Sequence, residues 1–286
     1  MLISQTLTPL RCGNHLLNLS FPMVAGIINV TPDSFFEPSR TLKNDQKAID
    51  LASKMVEEGA QILDIGGMSS RPGAKEISIS EEEDRVLPVI ENLASLFPSI
   101  VISVDTYRSE VAKQAIKAGA TMVNDISGGS LDEGMFDVIA SHHVAYVLMH
   151  MRGNPSNMQN LTDYQDVISD LLKYFVNKLQ ELHHSGIRDI IIDPGFGFSK
   201  TMEQNYQVID QLEIFRLLGY PIMVGLSRKS TLSKTVGQPV EETLNATTAL
   251  HMAALINGAS LLRVHDVKPA IETIAVYKKL REAKSH

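Results

Sequence analysis

The sequence predicts a (β/α)8 barrel, and three observations carry the prediction. Eight short apolar runs recur along the chain, separated by segments with helical spacing. The plainest of them, "DIIIDPG", is apolar without alternation, the pattern of a parallel strand buried on both faces. Eight such units within 286 residues match one closed barrel. An open doubly wound sheet usually has fewer strands and a Gly-rich first turn, which "GIINVTPDS" does not supply.

The elements follow in order. In "TLTPLRCGNHLLNLS", Gly13 and Asn14 separate two short apolar stretches, which predicts a hairpin within residues 1–20 that plugs one end of the barrel. The barrel then occupies about residues 22–284, with strands "MVAGIINV", "QILDIGG", "IVISVDT", "TMVNDI", "AYVLMHM", "DIIIDPG", "IMVGLS" and "SLLRVHDV". Between the second and third strands, Val86, Val89, Ile90, Leu93 and Phe97 form a helical stripe. Ser80 and Glu83 read as its capping box, "EEED" as a solvated first turn and Pro88 as a kink. Gly59, Gly119 and Gly186 stand where helical patterns stop and read as C-terminal caps. No Pro/Gly/Ser-rich linker divides the chain, so residues 1–286 are expected to form one domain.

Composition excludes several classes of function. A net charge of −7 and a pI near 5.7 argue against nucleic acid or an anionic membrane as partner. No run reaches the roughly 18 apolar residues of a membrane span, and "MLISQTLTPLRC" lacks the basic start and apolar stretch of a secretory signal. The single cysteine, Cys12, permits no internal disulfide and reads as a small buried residue. A cytoplasmic location is the expectation.

A barrel presents its chemistry where strands end. Those ends carry Asn29, Asp64, Asp105, Asn124 with Asp125, His150, Asp193, the segment "SRKS", and Arg263 with His265. Any one Asp, Asn or Ser there reads equally as a helix cap. Arg, Lys and His do not cap helix starts. Arg71, Lys229, Arg263 and His265, with Ser70 and the N–H groups of "GGMSSRPGA", form a set able to hold a phosphorylated ligand. Asn29 offers an oxygen suited to Mg²⁺, an ion that keeps waters and bridges to substrate phosphates.

Asp105, Asn124 and Asp193 form a second set. A buried carboxylate needs N–H donors, and a 2-amino-pyrimidinone edge supplies two, with Lys229 placed to meet its carbonyl. An Asp193–Lys229 ion pair is the structural alternative. Phe196 and Phe198 lie on a glycine-bent loop where an aromatic can face a ring, though one of them is expected to fold back onto the barrel. His142, His143, His183 and His184 stand in adjacent pairs that point in different directions, so they read as surface residues. Met149, Met151 and Met158 read as packing residues, with Met149 near a ligand.

In order and spacing, "GIINVTPDSF", "GGMSSRPGA", "ISVDTYRSEV", "NDISGG", "LMHMRGNP", "DPGFGFSK", "VGLSRKS" and "RVHDV" resemble the motifs of the dihydropteroate synthase family, from about Met23 to Val267. The resemblance implies a TIM barrel that joins 4-aminobenzoate to (7,8-dihydropterin-6-yl)methyl diphosphate and releases diphosphate. It implies that Asp105, Asn124, Asp193 and Lys229 hold the pterin, that Asn29 binds Mg²⁺, and that Ser70, Arg71, Arg263 and His265 take the diphosphate. Phe35, Pro72 and Phe198 would frame the aminobenzoate, with Ser230 near its carboxylate. A homodimer through the last helices is a family expectation.

Electronically, departing diphosphate leaves positive charge on the pterin, which Asp105 favours, while an aryl amine needs no Ser or Cys nucleophile. Asn29, Arg71, Asp105, Lys229, Arg263 and His265 are therefore the candidate catalytic residues. Arg263 reads as a ligand group in an open mouth, so Arg263→Ala is expected to harm turnover more than folding. The sequence departs from the family pattern at Met68, where Glu is usual, at Ser70, where Thr is usual, and in "DSFFEPSR", which lacks the usual Asp-Gly-Gly. Two rivals stand beside this reading. A pterin-dependent methyltransferase with a corrinoid partner would share the carboxylates but need no diphosphate cations. A non-catalytic paralogue would tend to lose loop residues such as Asn29, Asp33, Arg71 and Lys229, all present here.

Overall fold

A computed structural model describes residues 8–31, 42–69 and 76–283. A short hairpin comes first, β1 (Leu10–Cys12) pairing antiparallel with β2 (His15–Leu17). Strands and helices then alternate as β3 (Met23–Asn29), α1 (Leu42–Glu57), β4 (Ile62–Gly66), α2 (Ile79–Leu96), β5 (Val101–Asp105) and α3 (Ser109–Lys117). They continue as β6 (Met122–Asp125), α4 (Met135–His142), β7 (Ala145–Met149), α5 (Val167–His184), β8 (Ile190–Asp193) and α6 (Met202–Asp210). The last are β9 (Met223–Val224), α7 (Ser230–Val236), α8 (Leu244–Ile256), β10 (Leu261–Val264) and α9 (Val267–Ala283).

Strands β3 to β10 form one parallel sheet in the order β8-β7-β6-β5-β4-β3-β10-β9. An Ile192–Ile222 bridge brings its two edges together, with Ile192 N–H donating to the Pro221 carbonyl at 3.0 Å. The result is the expected barrel, and every one of the eight strands read from the sequence is present.

Strand side chains alternate between barrel interior and helix layer. One phase, including Val24, Ile28, Leu63, Ile65, Val104, Val123, Leu148, Ile192 and Leu262, packs outward against helical residues such as Val86, Ile90, Phe175 and Phe215. The other phase, including Ala25, Ile62, Val101, Met122, Val147, Ile191, Met223 and Leu261, packs inside against Leu10, Cys12, Leu17 and Leu19 of the N-terminal segment. The hairpin therefore plugs the bottom of the barrel as expected. Burial pushes the Cys12 thiol up to about 12, assisted by the Asp189 charge, so it is an inert packing group.

Two local expectations need correction. The cap of α2 is Ser78, whose Oγ accepts from Glu81 N–H at 3.1 Å, rather than Ser80. Both serines have a glutamate three residues on, so spacing alone does not choose between them. As a result "EEED" is not wholly solvated: Glu82 is fully buried, accepting from Thr106 Oγ1 at 2.7 Å and pairing with Arg108 at 3.0 Å. Gly59, Gly119 and Gly186 do follow helix ends with positive φ, and His143 is itself a left-handed cap.

Candidate active site

The alternation that fills the barrel bottom with apolar groups continues upward into polar ones. In β3 the inward series runs Ala25, Ile27, Asn29; in β4 Ile62, Asp64, Gly66; in β5 Val101, Ser103, Asp105. β6 adds Asn124 above Met122, β8 Asp193 above Ile191, and β10 Arg263 above Leu261. Register aligns Asp105 with Gly66 on one side and Asn124 on the other, and Asp193 with Met149. Asp125 and His150 have the opposite phase and leave the mouth. Asp125 instead accepts from the N–H groups of Ser127 and Gly129 and from the Tyr146 hydroxyl, a loop cap of the kind the sequence left open.

Arg263 organises the centre. Its Nε donates to Asp64 Oδ2 at 2.5 Å and an Nη to Asp105 Oδ2 at 2.6 Å. Burial opposes the guanidinium charge, but the two carboxylates outweigh it and hold the group above the usual arginine range. Asp64 also accepts from Ser103 Oγ at 2.6 Å and Asn124 Nδ2 at 2.9 Å. Asp105 is pushed up to about 7 because burial dominates, with Arg263 pulling the other way and Asp64 reinforcing the rise.

This network leaves polar atoms at the mouth without partners among the described residues. Asn124 donates to Asp64, yet its buried Oδ1 has no hydrogen-bond partner among the described residues. Asp193 Oδ1 accepts from Gly195 N–H at 2.7 Å, which leaves Oδ2 uncommitted. Burial raises the Asp193 pKa, while the Gly195 bond and the charges of Lys229, Arg263 and Lys200 lower it. Lys229 is the N-terminal cap of α7, and its Nζ lies 4.5 Å over the Phe198 ring. It forms no direct ion pair with Asp193, so the structural alternative does not account for it. Burial, aided by Arg263, lowers Lys229 to about 8 against the pull of Asp193 and Asp105.

At the rim, Asn29 Oδ1 and Asp105 Oδ2 flank Gly66: a Cβ placed there would lie 3.7 Å and 3.6 Å from them. His265 differs from its reading as a cation. Burial and the neighbouring Arg263 and Arg228 hold it down at about 4, so it is neutral at pH 7. Its backbone N–H reaches Ser227 Oγ at 3.2 Å, and the same hydroxyl lies 3.2 Å from Nδ1.

The two loop phenylalanines divide as expected. Phe196 packs into the outer core, edge-on to Tyr206, while Phe198 joins Ile126, Met149, Met151 and Met158 in a small cluster at the mouth, with Tyr107 against it. Ser230 is the exposed first residue of α7. Phe35, Ser70, Arg71 and Pro72 lie outside the described residues, as does Asp33. Met68 is within them, and its sulfur accepts from the Tyr107 hydroxyl at 3.8 Å. No group of three or more His, Cys, Asp or Glu side chains among the described residues is arranged to hold a metal by itself.

The family model described as pterin binding enzyme matches residues 25–265. A Synechocystis dihydropteroate synthase is 46% identical over 248 residues, covering 86% of this chain and 85% of that protein. The chain belongs to the dihydropteroate synthase family. The Escherichia coli K12 dihydropteroate synthase is 39% identical over 94% of this chain and 95% of its own. A Xanthomonas albilineans dihydropteroate synthase, determined with 4-aminobenzoic acid, superposes with a TM-score of 0.89 at 37% identity, over 96% of this chain and 99% of that one.

Within this dihydropteroate synthase barrel, sequence reading passed over two residues that the geometry makes prominent. Asp64 stood among the strand-end acids but not among the site candidates. It lies two residues below the strand end and ties Arg263, Asn124 and Ser103 together, a position visible only once the strand phase is known. Lys200 closes the motif "DPGFGFSK" and is buried, with its amine turned onto the loop it follows.

Proposed function

We propose that this chain is a synthase of its family, condensing (7,8-dihydropterin-6-yl)methyl diphosphate with 4-aminobenzoate. The observation that carries the reading is the unpartnered acceptor Asn124 Oδ1, in a mouth that also holds the uncommitted Asp193 carboxylate oxygen and Lys229 Nζ. A pterin's amide and amino N–H groups complement the two acceptors, and its carbonyl complements Lys229. Binding would relieve the desolvation of Asn124 Oδ1, worth about 1–3 kcal/mol for one buried unsatisfied group.

Asp105 would face the positive charge that grows on the pterin as diphosphate leaves. Arg263 keeps one Nη free of described partners, and with His265, Ser70 and Arg71 it would take the anion. The amine nitrogen of aminobenzoate forms the new C–N bond as the C–O bond to diphosphate breaks, and the amine proton passes to solvent or the leaving anion. Phe35, Pro72 and Phe198 would frame the aminobenzoate, with Ser230 near its carboxylate. Asn29, at the rim beside Asp105 and Gly66, would offer Mg²⁺ a neutral oxygen, and substrate phosphates would complete its shell. When bound it would neutralise charge on the leaving oxygens.

A homodimer is supported by α8 and α9, which expose Ile256, Val276 and Leu280. No described helix is long and apolar enough to cross a membrane, and the acidic chain fits a cytoplasmic enzyme. Diphosphate release with purified protein and Mg²⁺ tests the function. It should require both substrates. Release without 4-aminobenzoate, or none with both, would reject it in favour of pterin binding alone.

A further inference from the structure

Lys200 is a buried amine that the proposed reaction does not use. It is 4% exposed, and its Nζ lies 3.1 Å from the Gly195 carbonyl, 3.1 Å from the Phe198 carbonyl and 3.2 Å from His150 Nδ1. Three acceptors match the three protons of an ammonium. Burying a charge is costly, so the arrangement needs a cause. The loop supplies one. Gly195, Gly197 and Ser199 have φ of 71°, 85° and 43°, and these repeated reversals turn the Gly195 and Phe198 carbonyls toward Lys200. A Cβ at Gly195 would collide with the His150 carbonyl oxygen, so the loop is pressed against the end of β7. Further bonds pin it: Gly197 N–H donates to Asn205 Oδ1 at 2.7 Å, and Ser199 Oγ accepts from Arg152 N–H at 2.9 Å.

We propose that Lys200 is a positioning residue for pterin recognition: it pegs the loop so that Gly195 N–H stays on Asp193 Oδ1, and its charge keeps Asp193 the ionised acceptor that the ring's N–H groups need. This rests on the pterin reading of the same site. The charged groups facing Asp193 are Lys200 behind it, Lys229 at the head of α7 and Arg263 from β10, and all three favour ionisation against burial. Facing Lys200 are Asp193, which favours its charge, and Arg152, which opposes it; burial is the larger effect and brings it down to about 7. His150 is held well below the usual histidine range by burial, Lys200 and Arg152, so it stays a neutral acceptor. Below about pH 7 Lys200 is therefore charged, and its charge favours the ionised form of Asp193.

The test is calorimetric binding of (7,8-dihydropterin-6-yl)methyl diphosphate, without 4-aminobenzoate, to the full chain from pH 5 to 8, with thermal melts alongside. Lys200→Met should raise Kd about tenfold at pH 6.5, the scale of one charge-assisted contact. It should also move the acid limb of affinity to higher pH, because Asp193 loses a neighbouring cation. Lys200→Arg should bring that limb back even where its larger head weakens binding. A Lys200→Met protein with the wild-type acid limb, or a Lys200→Arg protein sharing the displaced limb, would overturn the inference alone. Absence of pterin binding by the wild-type chain would instead overturn the functional reading beneath it.

Discussion

Arg263→Ala removes the one guanidinium that bridges Asp64 and Asp105, and its consequence reaches beyond the ligand. The side chains of Asp64 and Asp105 are 3% and 14% exposed, against 18% for Arg263. The truncation leaves two carboxylates facing each other inside the barrel. Breaking a buried pair by removing one partner costs about 3–5 kcal/mol. Protonation reduces that cost: Asp105 stands at about 7 with the arginine present, and removing its largest favourable neighbour raises it further. The sign follows from linkage. A carboxyl whose folded pKa lies above its unfolded value is favourable while protonated, and that stability is lost as pH rises through the folded pKa. The variant should thus be nearly as stable as the wild type at pH 5.5 and weaker by about 3 kcal/mol at pH 8.5. For a domain of this size that is about 6–12 °C in Tm. Thermal melts at both pH values check this, together with diphosphate release at a temperature where both proteins are folded, which should fall at least about a hundredfold. A Tm gap equal at the two pH values would refute the bridging argument, and unchanged turnover would refute the role at the anion. On this reasoning the expectation from sequence, turnover lost and folding spared, would hold only on the acid side.

Three further outcomes can be measured directly. Asp193→Asn exchanges an acceptor oxygen for a donor amide facing the pterin, so pterin Kd should rise about a hundredfold while inorganic diphosphate binding is kept; equal losses for both ligands would contradict the division of the site. Lys229 loses its proton near 8, so the wild-type affinity for the pterin should fall as pH rises through that value, and Lys229→Met should be weak and flat over the same range in a fluorescence titration. Leu17→Ala opens space in the plug among Ile62, Val101 and Met122 and should cost about 2–4 kcal/mol in denaturant unfolding, with turnover per folded molecule unchanged.

What was legible in the sequence, and what was not, divides along the physics of each signal. The strands were legible because a parallel strand buried on both faces leaves an unmistakable apolar run, and the barrel followed from their number. The polar groups at the barrel mouth were legible where a run ended in a group that no core accepts, as at Asp105, Asp193 and Arg263. Asp64 was not, because the residue is polar inside an otherwise apolar strand, and only the period-2 phase set by Ile62 below and Gly66 above turns it inward. Protonation was not legible either. His265 reads as a cation from its neighbours in the chain, but burial beside Arg263 of β10 makes it neutral, helped by Arg228, which another segment brings in from between β9 and α7. The cap of α2 failed for a third reason, since two overlapping Ser-x-x-Glu spacings encode the same local bond and only burial of Glu82 against Arg108 selects between them. Each failure concerns a property of several segments at once. The same is true of Lys200: a lysine after "GFGFS" looks like a solvated loop end until the positive φ angles before it turn the Gly195 and Phe198 carbonyls onto its amine.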